Sequence, residues 1–203
     1  KVLPEENAVI LQGAGLWQLG DRIQFFDLST GRILAEAVIM RLEAATDTMV
    51  KAGFETLPTL DPQAMQLFNL SAAGENFIIR RNLFRNHRRH GLNLRSRHGV
   101  IADNRFEEQG GFGINISNEP GWPEGPIPGY LVIRDNVFLG GGRGEGYYGD
   151  ASCASLRVQA LKNSGLAAPV VEDIEITGNE FTRGPATAIF LGAVRSATLR
   201  GNH

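Results

Sequence analysis

Asn76-Phe77-Ile78-Ile79-Arg80-Arg81-Asn82-Leu83-Phe84 is the first copy of a repeat that decides the fold of this 203-residue chain. Two further copies read Gly99-Val100-Ile101-Ala102-Asp103-Asn104-Arg105-Phe106 and Leu131-Val132-Ile133-Arg134-Asp135-Asn136-Val137-Phe138. A fourth reads Asp173-Ile174-Glu175-Ile176-Thr177-Gly178-Asn179-Glu180-Phe181, and a fifth begins at Ala197. Since the first four copies each carry an apolar pair, then Asn, then Phe two positions later, the chain contains an internal repeat.

The spacing of the repeated asparagine predicts the fold class. Asn82, Asn104, Asn136, Asn179 and Asn202 are separated by 22, 32, 43 and 23 residues, so two copies carry insertions of roughly ten and twenty residues. The apolar and polar alternation within each copy indicates short strands. We predict an all-β fold, a right-handed parallel β-helix of the pectin-lyase-like solenoid type. Its asparagines would bond from coil to coil at a left-handed corner, with the phenylalanines stacked inward at about 4.8 Å.

A second short motif lies between the copies and predicts a front strand in each coil. It reads Gly91-Leu92-Asn93-Leu94, Gly113-Ile114-Asn115-Ile116, Ser155-Leu156-Arg157-Val158 and Ala188-Ile189-Phe190-Leu191. The chain contains 25 glycines, which is high. We assign Gly91, Gly99, Gly113 and Gly178 to the tight corners between strands, where glycine costs least.

The insertions are predicted to rise on both edges of the front strands and to form a groove. Its floor would be the outward side chains of those strands, which are Asn93, Arg95, Asn115, Ser117 and Arg157. Amide, hydroxyl and guanidinium groups suit sugar hydroxyls, although a merely solvated sheet face would also be polar. Because functional residues of solenoids collect where insertions do, we interpret these residues, together with His90, as substrate-binding candidates.

The predicted flanks of this groove carry acids and aromatic residues. One flank contains Glu119, Trp122 and Glu124, and the opposite flank contains Glu145, Tyr147, Tyr148 and Asp150. Glycosidic hydrolysis needs two carboxyl groups, one to protonate the leaving oxygen and one to activate water or attack. We therefore predict that the catalytic residues come from Glu119, Glu124, Glu145 and Asp150, with Trp122 and Tyr147 contacting sugar. Loop carboxylates that are simply solvated remain the alternative.

The stretch from Arg80 to His98 contains seven arginines and three histidines but no acid. It is either a solvated basic surface or a site for an anionic sugar, since arginine binds uronate and sulfate groups bidentately. In a lyase or epimerase, Arg95, Arg97, His90 or His98 would neutralise charge or act as the base. The sequence lacks the cluster of front-strand acids that a calcium-dependent lyase would use, and we predict no metal and no cofactor.

The first 62 residues do not follow the repeat. Residues 19–27 and 32–40 alternate like two strands joined by the turn at Leu28-Ser29-Thr30-Gly31. We predict a small β-barrel-like insertion module over residues 1–62 and the solenoid, about four and a half coils of it, over 63–203. The stretch Gln66-Leu67-Phe68-Asn69-Leu70-Ser71 is interpreted as a further front strand.

These features together resemble the glycoside hydrolase family 110 α-galactosidases and related β-helical proteins. The resemblance rests on the module before Asn69-Leu70-Ser71, on Arg89-His90-Gly91-Leu92-Asn93-Leu94, and on Trp122-Pro123-Glu124-Gly125. It implies metal-free, inverting cleavage of terminal α-1,3-galactose, with Trp122, Glu124 and Glu119 as site residues. The front strands here carry Asn93 and Asn115 where the resemblance would imply carboxylates.

The composition of the chain argues against several classes of protein. The formal net charge is -2, which gives no global basic field for nucleic acid. The single Cys153 excludes an internal disulfide, and no apolar run is long enough to span a membrane. We interpret the chain as a fragment of a secreted or periplasmic, bacterial carbohydrate-active enzyme, with its signal peptide outside the fragment. A glycoside hydrolase acting on an oligosaccharide or polysaccharide is the leading hypothesis. A lyase or epimerase and a non-catalytic glycan-binding or adhesin-like β-helix are the alternatives, and the sequence predicts no oligomeric state.

Overall fold

The computed structural model describes residues 1–59, 61–119, 121–122, 124–141, 153–161, 164–166, 168–184 and 187–203. Over these residues the chain is all-β, as predicted, with twenty strands and two single-turn 3-10 helices, Pro4–Glu6 and Ala14–Leu16. The chain divides into two compact units, Lys1–Ala73 and Gly74–His203.

The first unit is entirely antiparallel in its strand pairing. Its strands are β1 (Val2–Leu3), β2 (Ala8–Gln12), β3 (Arg22–Asp27), β4 (Arg32–Val38), β5 (Arg41–Thr46), β6 (Met49–Gly53) and β7 (Met65–Asn69). They form one sheet in the order β1-β2-β6-β5 and a second in the order β4-β3-β7. Buried side chains from both sheets share one hydrophobic core, in which Phe25 packs edge-on against Phe54 with ring centroids 5.3 Å apart.

The boundary of the first unit lies further along the chain than the sequence suggested. Strand β7 pairs antiparallel with β3, so the interpretation of residues 66–71 as a parallel front strand is wrong. Phe68 and Leu70 are buried, and the Leu70 backbone N–H donates to the Arg22 carbonyl oxygen at 2.8 Å. The unit therefore ends after Ala73 rather than after Pro62.

The second unit consists of parallel sheets, and this part of the predicted fold is confirmed. Its strands are β8 (Ile78–Arg80), β9 (Leu83–Arg85), β10 (Leu92–Leu94), β11 (Arg97–Ala102), β12 (Arg105–Glu107), β13 (Ile114–Ser117), β14 (Gly129–Arg134), β15 (Val137–Leu139), β16 (Leu156–Gln159), β17 (Ile174–Thr177), β18 (Glu180–Thr182), β19 (Ile189–Gly192) and β20 (Ala197–Arg200). Each strand pairs with the strand three places later in the chain, which gives the sheets β8-β11-β14-β17-β20, β9-β12-β15-β18 and β10-β13-β16-β19.

The repeated asparagines form a continuous hydrogen-bonded ladder between the first two of these sheets. The Nδ2 atom of each asparagine donates to the Oδ1 atom of the next, at 3.0, 3.0, 2.9 and 3.0 Å from Asn82 through to Asn202. The backbone N–H of each donor residue bonds the same Oδ1 atom. Asn104, Asn136 and Asn179 are fully buried, so this ladder satisfies polar groups inside the unit.

The repeated phenylalanines stack in register one strand later. Phe84, Phe106, Phe138 and Phe181 have ring centroids 4.9, 4.9 and 4.8 Å apart, with interplanar angles of 10° or less. The spacing equals the separation of neighbouring strands in a sheet, because each ring follows its own strand. The predicted inward stack of these four residues is therefore present.

The left-handed corner beside the ladder differs from the prediction in one respect. The residue with positive φ is the one before each asparagine, at 58° in Arg81, 56° in Asp103 and 55° in Asp135. Gly178 and Gly201 take this place in the later copies. The asparagine is thus required for its side-chain hydrogen bonds, whereas the left-handed backbone conformation is in the residue before it.

Three of the four glycines that we assigned to corners are required for a different reason. Gly91, Gly99 and Gly113 do not have positive φ. A Cβ atom on Gly113 would lie 2.6 Å from the Phe138 ring, and one on Gly99 would lie 2.2 Å from the Phe77 ring. These glycines make room for an aromatic ring, whereas Gly178 does occupy a left-handed corner with φ of 64°.

Candidate functional site

The sheet β10-β13-β16-β19 carries a row of polar side chains on one face. Asn93, Asn115 and Arg157 are paired in register across β10, β13 and β16, and Phe190 follows on β19. The alternate positions of β13, Ile114 and Ile116, are fully buried. Period-two alternation therefore separates a polar row from the apolar interior, as the sequence predicted.

The row is far more buried than an open groove floor would be. Asn93 is exposed, but Asn115, Ser117 and Arg157 are only 5%, 1% and 1% exposed. The prediction of solvent-facing side chains is wrong for these three, because they bond and pack against their own neighbours. The Asn115 Nδ2 atom donates to Asn93 Oδ1 at 2.9 Å and to Ser117 Oγ at 3.3 Å.

Arg157 lies at the end of a column of stacked side chains that starts at His90. The His90 and Phe112 rings are stacked with centroids 5.0 Å apart, and the Arg157 guanidinium carbon lies 4.8 Å from the Phe112 centroid. Arg157 also donates to Gln159 Oε1. The Phe112 backbone N–H donates to His90 Nδ1 at 3.2 Å, so the proton of the neutral imidazole sits on Nε2.

Several polar atoms at this site are buried without a hydrogen-bond partner among the described residues. They are Arg95 Nε, Ser96 Oγ, Asn115 Oδ1 and Asn118 Oδ1. An unpaired buried acceptor or donor is costly, so these atoms mark the polar row as an energetically unfavourable part of the unit. Two of the four are amide oxygens, which require a donor such as a hydroxyl group.

The loop directly after β13 presents the candidate acids, and its described residues are 118, 119, 121, 122, 124 and 125. Glu119 and Trp122 form an antiparallel bridge, with the Trp122 N–H donating to the Glu119 carbonyl at 2.8 Å. The Asn118 Nδ2 atom donates to the Gly125 carbonyl at 3.0 Å and so ties the two ends of the loop together. Trp122 is 64% exposed, although a large apolar side chain would usually be buried.

An ion pair joins this loop to the neighbouring repeat. An Arg95 guanidinium nitrogen lies 2.8 Å from a carboxylate oxygen of Glu124. A Cβ atom on Gly125 would lie only 2.7 Å from the Arg95 Cβ atom, so the glycine permits this close approach. Arg95 is largely buried and Glu124 half-exposed, which places a charged carboxylate at the edge of the polar row.

The opposite flank of the predicted groove cannot be compared with these residues. Glu145, Tyr147, Tyr148 and Asp150 all lie outside the described residues. Of the four predicted catalytic acids, the structure describes Glu119 and Glu124, and it brings both onto one loop with Trp122. The predicted partnership with an acid across the sheet stays a prediction.

The basic stretch is distributed over all three parallel sheets. Arg85 pairs with Glu107 at 2.6 Å on one sheet, and Arg95 pairs with Glu124 on another. Arg97, on the third, lies 5.1 Å from the centroid of the Tyr130 ring, against which His98 is also stacked. These three arginines are close in sequence, but their contacts lie in different parts of the unit.

Sequence reasoning missed Phe112, Ser96 and Asn118 as parts of the site. Phe112 stands 22 residues after His90, which is one repeat later. The two residues therefore occupy equivalent positions before β10 and β13, where their rings stack. Ser96 and Asn118 follow β10 and β13 at equivalent positions, also 22 residues apart. The repeat could have identified these pairs, but it could not have indicated that their polar atoms are buried and unpaired.

The described residues contain neither a candidate metal site nor a helix that could span a membrane. No group of three or more His, Cys, Asp and Glu side chains there could hold a metal ion. None of the helices in that part of the chain is long and apolar enough to cross a membrane.

No protein family matches this chain, and no curated protein matches it.

Proposed function

We propose that this chain is part of a carbohydrate-active enzyme, a glycoside hydrolase whose site lies on the polar face of β10-β13-β16-β19. The second unit would be a right-handed parallel β-helix, and this is supported by three parallel sheets that advance by one strand per repeat. The asparagine ladder, which runs through all five copies, and the phenylalanine stack, which runs through the first four, support the same arrangement.

The observation that carries the proposal is the loop at residues 118–125. It holds an exposed tryptophan between two carboxylates, next to a row of amide and guanidinium groups. An exposed indole ring offers an apolar face on which the C–H face of a sugar can stack. Amide groups both donate and accept hydrogen bonds, as sugar hydroxyls do. Taken together, this set fits a glycan better than it fits an apolar ligand.

The carboxylates are proposed to have different roles. Glu124, which is held in place by its 2.8 Å ion pair with Arg95, is the residue proposed to activate water or attack the anomeric carbon. Glu119, three residues before Trp122 and half-buried, is the proposed proton donor to the leaving oxygen. Glu145 or Asp150 could replace either residue in these roles, as the sequence analysis allowed.

The resemblance to glycoside hydrolase family 110 supports a galactoside as the first substrate to test. The Trp122-Pro123-Glu124-Gly125 element that carries the resemblance is part of the loop described above. A glycan-degrading enzyme usually meets its polymer outside the cytoplasm, and we accordingly propose a secreted or periplasmic location.

The test is to incubate the chain with α- and β-galactosides, neutral galactan and polygalacturonate and to identify the products. Hydrolysis predicts new reducing ends without the ultraviolet absorbance of an unsaturated uronate. Reducing ends that appear together with that absorbance would show a lyase and overturn the assignment. If glycans bind but no product forms from any of them, the non-catalytic alternative is correct.

Trp122 provides a second test of the same site. Trp122→Ala should raise KM by about tenfold, because a stacked sugar loses its aromatic partner, whereas Trp122→Phe should retain most of the affinity. If both variants behave like the wild type, the loop is not where the glycan binds.

A further inference from the structure

Residues 86–91, which we name the basic loop, precede β10 and carry four consecutive cationic or imidazole side chains. His87, Arg88 and Arg89 are exposed, and His90 is half-buried against Phe112. The loop leads directly into Leu92–Leu94, the strand that contributes Asn93 to the polar row. A concentration of positive charge therefore lies at the start of the strand on which the proposed glycan site begins.

The backbone of the basic loop is fixed by the neighbouring repeat. The Gly110 N–H donates to the His87 carbonyl at 2.8 Å, and the Gly111 N–H donates to the Arg89 carbonyl at 2.5 Å. Within the loop, His87 Nδ1 lies 3.1 Å from the His90 carbonyl oxygen and must carry a proton to donate to it. The loop is thus held in one conformation before any ligand arrives, which lowers the cost of binding.

The adjacent repeat approaches the backbone of the basic loop closely. A Cβ atom on Gly110 would lie 2.2 Å from the Arg88 carbonyl oxygen, and one on Gly111 would lie 2.8 Å from the Arg89 carbonyl oxygen. The two glycines therefore permit this close approach of one backbone to the other. The Arg88 side chain itself is exposed.

Carboxylates are scarce in the sequence around Arg88. The stretch from Arg80 to His98 contains no acid, and Arg88 makes no ion pair with any residue that the structure describes. Glu108 is the acid that follows the adjacent strand β12, and its carboxylate lies 3.8 Å from Arg183. Arg88 therefore has a guanidinium group that can bind an anion from solution.

We propose that the basic loop is an anion subsite and that the glycan bound on this face is acidic, carrying carboxylate or sulfate groups. This inference rests on the proposed function and specifies its substrate class. A planar guanidinium group matches a carboxylate or sulfate with two parallel hydrogen bonds, whereas a neutral sugar gains nothing from the charge. Neighbouring acidic units of one polymer would contact the basic loop and the polar row at the same time. The polymer would then bind more tightly than either unit alone.

Nucleic acid fits this surface less well than an acidic glycan does. The whole chain has a formal charge of -2, and the other arginines of the stretch are on different sheets. Nucleic-acid binding at ordinary salt draws on about six to ten phosphate contacts, which is more than this single loop can provide.

The experiment measures binding of the full chain to polygalacturonate, chondroitin sulfate and neutral galactan by affinity electrophoresis. The double variant Arg88→Gln with Arg89→Gln removes two charges from the basic loop. Its matched control, Arg80→Gln with Arg81→Gln, removes two exposed arginines next to the asparagine ladder instead. Binding does not require turnover, so this result is independent of whether the chain hydrolyses anything.

We expect at least one acidic polymer to bind, and we expect the loop variant to bind it about tenfold more weakly, as loss of a charged hydrogen-bonded contact predicts. The control should change binding less than about twofold, as expected for surface charge outside the site. Equal losses in both variants, equal binding of double-stranded DNA, or no binding of any acidic polymer would each overturn the anion subsite. If the neutral galactan alone binds and is cleaved, the anion subsite is wrong and the proposed hydrolase remains.

Discussion

At the scale of single residues, the asparagine ladder stabilises the second unit through buried side-chain hydrogen bonds. Asn136 is fully buried and has five hydrogen-bonded contacts, accepting from Asn104 and donating to Asn179 and to two backbone carbonyls. Its Oδ1 and Nδ2 atoms serve neighbours on both sides. Removing this side chain would leave several buried groups unpaired at once.

Asn136→Ala should lower the free energy of unfolding by about 3 kcal/mol, because each buried group left unpaired costs about 1–3 kcal/mol. Asn82→Ala is the matched control, since Asn82 lies at the exposed end of the same ladder and should cost about 1 kcal/mol. Urea denaturation followed by circular dichroism measures both. Equal losses in the two variants would mean that burial does not set the strength of the ladder.

Glu107 gives a residue-scale prediction about pH. Hydrogen bonds from Arg105 first and Arg85 second hold the pKa of its carboxyl group below the ordinary value of 4.5. A depressed pKa means that the folded state binds this proton less readily than the unfolded state does. The stabilising contribution is therefore complete above about pH 4.5 and is lost as the pH falls toward the lowered pKa.

Glu107→Gln should accordingly destabilise the chain at neutral pH, and its difference from the wild type should shrink as the pH is lowered below about 4.5. The stability difference at a series of pH values, from urea midpoints, measures this. In a background that carries Arg85→Gln and Arg105→Gln, the same substitution should show no such pH dependence. A difference that stays constant with pH in the wild-type background would contradict the assignment.

The period-two alternation of the sequence predicted which positions lie on the polar face of the sheet. It did not predict which side chains pack against them. The alternation around Asn115 and Arg157 identifies a face, because successive side chains of a strand point in opposite directions. It contains no information on what packs above that face. The stacking of Arg157 on Phe112 therefore could not be read from the sequence, although both residues are within the repeat.

At the scale of elements, the glycines before β10 and β13 determine how closely neighbouring repeats pack. Gly113 precedes β13, and the Phe138 ring lies where its Cβ atom would be. Phe138 itself is fully buried within the phenylalanine stack. A methyl group at Gly113 must therefore displace a ring that has no space to move.

Gly113→Ala should lower the free energy of unfolding by about 2 kcal/mol through overpacking. Gly121→Ala is the control, because a Cβ atom there would have no neighbour within 4 Å and φ is not positive. Thermal denaturation of both variants compares them directly. If Gly113→Ala is as stable as Gly121→Ala, the aromatic ring is not what requires glycine.

The strand at residues 65–69 shows where element-scale prediction fails. Phe68-Asn69-Leu70 has the apolar, polar, apolar order of the front strands, so the sequence assigned it to the parallel repeat. The same order occurs in any half-buried strand, whatever its partner. Here the partner is β3, and the pairing is antiparallel.

At the scale of the whole molecule, the chain consists of two units with different strand pairing. Antiparallel sheets and their own hydrophobic core account for Lys1–Ala73, and parallel sheets account for Gly74–His203. The parallel pairing was predictable because one motif recurs five times along the chain. The antiparallel unit has no repeat, so only its hairpin, β3 and β4, was anticipated in detail.

A fragment comprising residues 1–73 should fold alone and unfold cooperatively, whereas residues 1–62 should not. The shorter fragment lacks β7, which leaves one edge of β3 unpaired and removes Phe68 and Leu70 from the core. Each of those buried side chains contributes about 2 kcal/mol. Circular dichroism during urea denaturation distinguishes the fragments. Cooperative unfolding of residues 1–62 would contradict the boundary after Ala73.

The central functional claim is that Glu124, paired with Arg95 beside Trp122, takes part in cleaving a glycosidic bond. The most direct test is kcat for Glu124→Gln on the glycan that the wild-type chain cleaves, with Glu175→Gln as the same change on a different sheet. The account predicts that kcat falls by about a hundredfold or more in Glu124→Gln, as expected for loss of a catalytic acid or base, and is unchanged in Glu175→Gln. Wild-type turnover in Glu124→Gln would contradict it.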